Sequence, residues 1–212
     1  MCSDNKQLAV SFLVHCYFGD MEDPLLAAID RAYLDMQAHT VGGNKADRFR
    51  GRKAITEILY AQIKQLPNDG CFDEWHKKLA NCIHDTYPKE AGGKELSYGQ
   101  IQKWINMTLK YCYVLRKLGI KSEGIGDYFD DDDNAEAFHA PLDSYVLKGI
   151  GEYKNCPSWS KIESYKTYDG IRKKIGFFEE LEKWPEWAKE FKSKKADKGT
   201  YRRFIQDPES EE

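Results

Sequence analysis

The sequence predicts an all-α protein, a compact single domain of about eight helices around one buried central helix. Two observations support this fold class. Almost no stretch alternates apolar and polar residues, as a half-buried strand would. Apolar residues instead recur every three or four positions, as they do on one face of a helix, and these stretches end near glycine or proline.

Four predicted helices precede the central one. They cover residues 5–17, a stretch from Pro24 to the glycines at 42–43, residues 55–66 and residues 75–87. Asp23 and Pro24 fit an N-cap followed by proline at the first helical position, where a backbone N–H is not needed. The third and fourth helices are predicted to stop before Pro67 and Pro88, because proline disrupts a helix interior.

The fifth helix is the predicted centre of the fold. Ser97 and Gln100 match a capping box, in which the serine hydroxyl and the glutamine amide satisfy free N–H groups at the start of a helix. A wide apolar face then continues to Gly119, and such a helix is expected to be buried.

Beyond the central helix, the sequence predicts an acidic loop at residues 127–133, a short helix at about residues 142–150 and two further helical stretches. The loop lacks the alternating spacing of a calcium-binding loop, so we expect it to be solvated. Residues 1–206 are expected to form the single domain. Residues 207–212 carry four carboxylates and are expected to be a disordered tail.

Composition and motifs exclude several classes of protein. No apolar run approaches the ~20 residues of a membrane span, and the N-terminus lacks the basic start of a signal peptide. The six cysteines form no CxxC pair, which predicts reduced thiols and a cytoplasmic location. No phosphate-binding glycine motif or GxSxG elbow occurs, so no nucleotide cofactor is expected. The spacing of cysteines and histidines does not predict a metal site.

Two short segments contain residue types suited to one reaction. Lys103 lies in the first turns of the central helix, where burial would lower the pKa of its amine and make it a nucleophile. Asp143 follows a proline at the start of a later helix, where the helix dipole favours an ionised carboxylate. Such a pair suits attack at a sugar C1′, because the carboxylate stabilises positive charge developing on the ring. In the structural alternative, Asp143 only starts the helix and Lys103 extends to solvent.

Residues 96–151, with Leu96-Ser-Tyr-Gly-Gln-Ile-Gln-Lys103 and Pro141-Leu-Asp143-Ser-Tyr-Val146, resemble the helix-hairpin-helix DNA glycosylase superfamily. That family is all-α. Its bifunctional members place a lysine after a glycine-rich hairpin and an aspartate in a segment of the type Pro-Val-Asp-Thr-His-Val. The resemblance implies base excision from DNA, with Lys103 as nucleophile, Asp143 as its electrostatic partner and the target base flipped into a pocket. The chain departs from the family in having a single hairpin glycine, Gly99, and a longer lysine–aspartate separation.

On this interpretation, neighbours of the catalytic pair contact the substrate. The predicted substrate-binding residues are Gln100, Trp104, His139 and Tyr145. His139 is predicted to orient or protonate a bound base, with packing beside Phe138 as the alternative. No cofactor is implied.

The net charge is −3, but net negative charge is concentrated in two segments. Residues 127–136 and 207–212 together contribute −10, so the remaining residues have a net charge of +7. Basic stretches lie at residues 45–53 and 183–203, the second with interleaved aromatic residues, as phosphate contact and base stacking would require. The predicted nucleic-acid contacts are Arg48, Arg50, Arg52, Lys53, Lys195, Arg202 and Arg203. Solvated helices with aromatic residues in the core are the alternative for these stretches, and a helical partner-protein binding module is the alternative for the whole chain.

Overall fold

The computed structural model describes residues 2–36, 41, 43–67, 70–156 and 158–196, with side chains between residues 5 and 190. Within these residues the helices are α1 (Cys2–Phe18), α2 (Pro24–Asp35), α3 (Lys45–Ile63), α4 (Phe72–Glu90), α5 (Tyr98–Lys117), α6 (Asp132–Glu136), α7 (Ser144–Gly149), α8 (Tyr165–Arg172) and α9 (Phe177–Ala196). No strand occurs in this part of the chain, so the all-α class is confirmed. None of these helices has both the length and the apolar character of a membrane span.

Side-chain caps determine where α2 and α5 begin. The Asp23 carboxylate accepts hydrogen bonds from the N–H groups of Leu25 and Leu26, each at 3.1 Å. The capping box of α5 is present, with the reciprocal Ser97 and Gln100 hydrogen bonds also at 3.1 Å. Such caps satisfy N–H groups that the first turn of a helix leaves without partners, so both helix starts could be predicted from local sequence.

The helix α5 is the buried centre of the fold, as predicted. Fifteen of its twenty residues are buried, and it packs mainly against α2, with α4 and a short 3-10 turn at Trp159–Lys161 on its other sides. Trp104 is fully buried against α2, where its indole Nε1 donates a hydrogen bond to the Ile29 carbonyl oxygen at 3.1 Å.

Several predicted helix ends are wrong. The helix α4 continues past Pro88 to Glu90, because a proline in the last turn removes only one hydrogen bond and leaves the earlier turns intact. The helix α2 ends at Asp35 rather than at the glycine pair. The helix α3 begins at Lys45, ten residues before Ile55, so the basic stretch forms its first half.

The acidic stretch is partly ordered by cations rather than being only a solvated loop. The Arg116 guanidinium donates hydrogen bonds to the carboxylates of Asp130 and Asp127, each at 2.6 Å. Asp131 caps α6, which begins at the next residue. Arg116 and the α6 cap therefore hold a run of like charges that would otherwise repel one another.

A close backbone contact at Gly99 joins α5 to the segment that precedes α8. The Gly99 N–H donates to the Ile162 carbonyl oxygen at 3.1 Å. A Cβ atom at Gly99 would lie 1.7 Å from the Trp159 carbonyl oxygen, so only glycine allows this approach. The contact brings the Trp159 ring over the first turns of α5, beside Lys103.

Candidate functional site

A cavity of about 430 Å³ lies where α1, α2, α5, α9 and the start of α7 meet. Its walls are formed by Tyr17, Asp35, Lys103, Met107, Lys110, Tyr111, Asp143, Tyr145, Leu181, Trp184 and Pro185. The four α5 residues follow one another at spacings of four, three and one, so they project from one side of the helix. Lys103 and Asp143, forty residues apart in the chain, thus line the same cavity.

The Lys103 side chain is 8% exposed, and its ammonium lies 4.5 Å from the centroid of the Trp159 ring. In the part of the chain that the structure describes, neither a hydrogen bond nor an ion pair holds this amine. Burial lowers the pKa of Lys103, because removal from water disfavours the charged form, while the nearby Asp143 carboxylate opposes the shift. The neutral, nucleophilic form of the amine is therefore more accessible than in a solvated lysine.

Asp143 is the N-cap of α7, and its carboxylate has a defined orientation. Its Oδ1 accepts hydrogen bonds from the N–H groups of Tyr145 at 2.8 Å and Val146 at 3.0 Å. Its Oδ2 accepts a bond from the Trp184 indole Nε1 at 3.3 Å. These three donors hold a largely buried carboxylate at the cavity wall.

A second lysine of the cavity, Lys110, is fully paired. Its ammonium donates to both oxygens of Glu180, at 2.7 and 2.9 Å, and the Glu180 side chain is 1% exposed. Burial raises the pKa of Glu180 even though Lys110 opposes the shift. Sequence reasoning missed this pair, because Glu180 lies in the first turn of α9 and resembles an ordinary helix-start carboxylate.

The wall where α1 and α2 meet α5 carries a hydrogen-bonded cluster that the sequence did not predict. The Tyr111 hydroxyl donates to the Asp35 carboxylate and lies 2.8 Å from the Tyr17 hydroxyl. Arg31 donates to the other Asp35 oxygen at 2.9 Å. Burial and the adjacent carboxylate raise the pKa of Tyr111 strongly, so its hydroxyl keeps its proton and acts as a donor.

Of the predicted substrate-binding residues, only Tyr145 lines this cavity, with its ring 5.4 Å from that of Trp184. Gln100 is buried in the capping box at the start of α5. Trp104 points into the packing between α5 and α2. His139 lies outside the cavity, in a separate cluster of buried polar side chains. The structure therefore brings together Lys103, Asp143 and Tyr145, and separates the other three from them.

His139 belongs to a network of buried polar side chains that joins α4, α5 and α8. His139 contacts the Tyr168 hydroxyl at 2.8 Å and Asp73 at 2.8 Å. His76 contacts the Asn106 amide oxygen at 2.9 Å. Burial lowers the pKa of both histidines, that of His139 to about 4. Both rings are therefore neutral near neutral pH, and each has partners for both nitrogens, which is the property of a satisfied core histidine.

The predicted nucleic-acid contacts that the structure describes lie on α3. Arg52 pairs with Asp30 at 2.7 Å, Arg50 pairs with Asp47, and Lys53 is exposed. Arg48 donates to the Gly43 carbonyl oxygen. The Lys195 side chain, Arg202, Arg203 and the acidic tail at 207–212 lie outside the described residues.

Among the described residues, no group of three or more histidine, cysteine, aspartate or glutamate side chains is arranged to hold a metal ion. No protein-family model matches the chain, and neither the curated proteins nor the solved structures include a match. Any functional conclusion therefore depends on the geometry of the protein itself.

Proposed function

We propose that the cavity is the active site of a DNA glycosylase-like enzyme that excises a modified base, with Lys103 as the nucleophile. One observation carries the proposal. A largely buried lysine, whose amine has no hydrogen bond or ion pair to another described residue, lines the same cavity as an oriented carboxylate, that of Asp143. Burying a lysine away from water costs stability, and groups with a pKa shifted by burial are concentrated at functional sites.

The proposed reaction forms one bond as another breaks. The neutral Lys103 nitrogen bonds to the sugar C1′ while the C1′–base bond breaks and the base leaves with the electron pair. The lysine nitrogen loses a proton on bonding and the departing base takes one up. Asp143 stabilises the positive charge that develops on the sugar ring. The nitrogen lone pair then forms a C1′=N double bond as the C1′–O4′ bond breaks, and the remaining N–H proton moves to O4′, which leaves a ring-opened imine between Lys103 and C1′.

The shape and lining of the cavity suit a flipped nucleobase. Its volume of about 430 Å³ falls within the range of small-ligand sites. Three aromatic side chains, Tyr17, Tyr145 and Trp184, supply flat apolar surface, and the Asp35 carboxylate in the wall supplies a polar acceptor. Flipped bases are held by this combination of ring stacking and polar contacts to a base edge.

Borohydride trapping tests the proposal. Wild-type protein is incubated with labelled duplexes that each carry an abasic site or one oxidised, alkylated or deaminated base, in the presence of sodium borohydride. We expect a covalent protein–DNA adduct, because borohydride reduces the imine to a stable amine. Lys103→Ala should abolish the adduct, whereas Lys78→Ala, at a lysine that is 82% exposed, should retain it. Equal trapping by both variants would disprove the role of Lys103.

Asp143→Asn separates the charge of this residue from its structural role. Asparagine is an equally good N-cap, but its amide NH2 cannot accept the Trp184 hydrogen bond, so the free energy of unfolding should fall by only about 1 kcal/mol. Base release should slow by about 100-fold or more, because the carboxylate charge is lost from the site. Single-turnover base release and thermal unfolding measure the two effects, and a loss of stability without a loss of rate would assign Asp143 to the fold alone.

A helical module that binds a partner protein is the second candidate. The observation that favours it is an apolar surface on α1, where Leu8 and Phe12 are each 68% exposed and Leu13 is 64% exposed. A group of large apolar side chains left in water commonly marks an interaction surface. Sedimentation velocity over a range of concentrations, with Leu13→Glu as the variant, tests self-association through this surface. A concentration-independent sedimentation coefficient in both proteins would exclude a second copy of the chain as the partner.

A further inference from the structure

A second surface, on the other side of α2 from the cavity, combines cations with an exposed aromatic ring. Lys45, Arg48, Phe49 and Arg52 follow one another in α3 at spacings of three, one and three, so helical geometry places them on one face. With Tyr33 of α2 they line a surface pocket of about 510 Å³. We call these four α3 residues the basic α3 face.

The buried flank of α3 beside Arg48 and Arg52 fixes this orientation. Gly51 is buried, and a Cβ atom there would lie 2.7 Å from the Tyr87 ring of α4. Ile55 and Leu59 are also fully buried. Because this side of α3 packs against the core, the basic α3 face is held towards solvent as part of a rigid helix.

Cations outnumber the carboxylates at this surface. Residues 45–53 contain five basic side chains and one acidic one. Arg52 donates to Asp30 with one nitrogen, but a guanidinium has five N–H donors and keeps several of them for a ligand. Lys45 forms no ion pair within the described residues, and Lys94 lies beside Gly43, just before α3 begins.

Phe49 is the unusual member of the face, because its side chain is 65% exposed among these cations. The neighbouring Tyr33 ring is almost fully buried, with the Arg52 guanidinium 4.9 Å from its centroid. The pocket thus has an aromatic floor and an aromatic edge that faces solvent, with positive charge on both sides.

We propose that the basic α3 face binds an unpaired nucleic-acid strand, with a base stacked on Phe49 and phosphates held by Lys45, Arg48 and Arg52. A groove of positive charge with an accessible aromatic ring is the arrangement by which proteins bind single strands. In a duplex both faces of each base are already stacked, so Phe49 would have no ring to contact. An acidic peptide would pair with the cations but would leave Phe49 in water.

This binding site goes beyond the proposed catalytic function and does not depend on it. Tyr33 lines the α3 pocket and Asp35 lines the cavity. Residues two apart on a helix project about 200° apart, so the two sites open on different sides of α2. Strand binding at α3 is therefore expected whether or not Lys103 is a nucleophile.

Fluorescence anisotropy with a labelled oligothymidine of about twelve nucleotides tests the proposal on the full chain. We expect the single strand to bind more tightly than a duplex of the same length. Phe49→Ala should weaken binding at least about fivefold, since stacking of one base is worth about 1–3 kcal/mol. Tyr153→Ala is the matched control, because the Tyr153 ring is also exposed, at 36%, but lies in the segment after α7, and it should leave the affinity within about twofold.

A charge comparison completes the experiment. Lys45→Ala combined with Arg48→Ala should reduce the slope of log affinity against log salt by about 0.7 for each phosphate that the variant no longer neutralises. Lys77→Ala combined with Lys78→Ala, an exposed pair on α4, should leave the slope unchanged. Absence of binding, equal weakening in Phe49→Ala and Tyr153→Ala, or preference for the duplex would each overturn the proposal. Repeating the titration with Lys103→Ala separates this result from the trapping experiment, because binding should persist in that variant.

Discussion

Lys103 and Lys110 lie seven residues apart on one face of α5 and line the same cavity, yet they have different surroundings. Lys110 is compensated by the buried Glu180 carboxylate at 2.7 Å. Lys103 has the Trp159 ring at 4.5 Å, and the carboxylates of Asp143, Asp35 and Glu180 act on it without an ion pair among the described residues. Removing one partner of a buried ion pair strongly destabilises a protein, because the other charge stays buried without compensation. A buried charge that has no close partner already destabilises the native protein.

Methionine substitutions at the two lysines should therefore have opposite effects on stability. Lys103→Met keeps the length of the side chain and removes a desolvated charge, so the free energy of unfolding should rise by about 1 kcal/mol. Lys110→Met leaves Glu180 as an uncompensated buried carboxylate and should lower it by about 3 kcal/mol. Urea denaturation of both variants measures the difference. A large loss of stability in Lys103→Met as well would show that this amine is held by an ion pair and is not free to react.

At the scale of elements, the site depends on how α5 meets the segment at residues 159–162. Gly99 allows the Trp159 carbonyl to approach the first turn of α5, and the same approach places the Trp159 ring beside the Lys103 amine. The single glycine of the segment that resembles a hairpin thus has a packing role, because no side chain fits at this position.

Gly99→Ala should lower the free energy of unfolding by about 2 kcal/mol or more, because the added methyl group forces α5 and the 159–162 segment apart. Gly170→Ala is the matched control. Gly170 lies within α8 with open space around it, so alanine there should stabilise the protein by about 0.5–1 kcal/mol. Thermal or urea unfolding of the two variants gives the comparison. Equal effects would mean that the close approach at Gly99 contributes nothing to stability.

At the scale of the whole molecule, the buried histidine network links stability to pH. In the folded protein the pKa of His139 is lowered to about 4, whereas a histidine in the unfolded chain has a pKa of about 6.5. Between these values the unfolded chain binds a proton that the folded protein does not, so stability falls as pH falls through this window. His76, whose pKa is also lowered by burial, adds to the same loss.

We therefore expect the free energy of unfolding to decrease on acidification from about pH 6.5 to about pH 4, by up to about 3 kcal/mol for His139 alone. The neighbouring Asp73 carboxylate stabilises the protonated ring, whereas the Arg172 guanidinium destabilises it. His139→Gln removes the titrating group and should make the stability profile flatter in this window. Urea denaturation at several pH values measures both profiles, and identical slopes would show that His139 is not the source of the dependence.

The sequence was most informative where structure depends on neighbours in the chain. Asp23 and Ser97 mark helix starts because a cap acts within three residues, and the apolar face of α5 identified the buried helix. The predicted end of α4 was wrong because proline is tolerated in a last turn. The pairing of Arg116 with the acidic stretch could not be predicted, since a loop brings these charges together.

By itself, then, the sequence determined the all-α class, the central helix and the residue types at Lys103 and Asp143. Only the tertiary structure decided that these two side chains line one cavity, with Glu180 and Tyr111 beside them. It also decided that His139, four residues from Asp143, turns away into a buried network. The physical reason is that helix periodicity and capping are local interactions, whereas the meeting of side chains from α5, α7 and α9 depends on how the whole set of helices packs.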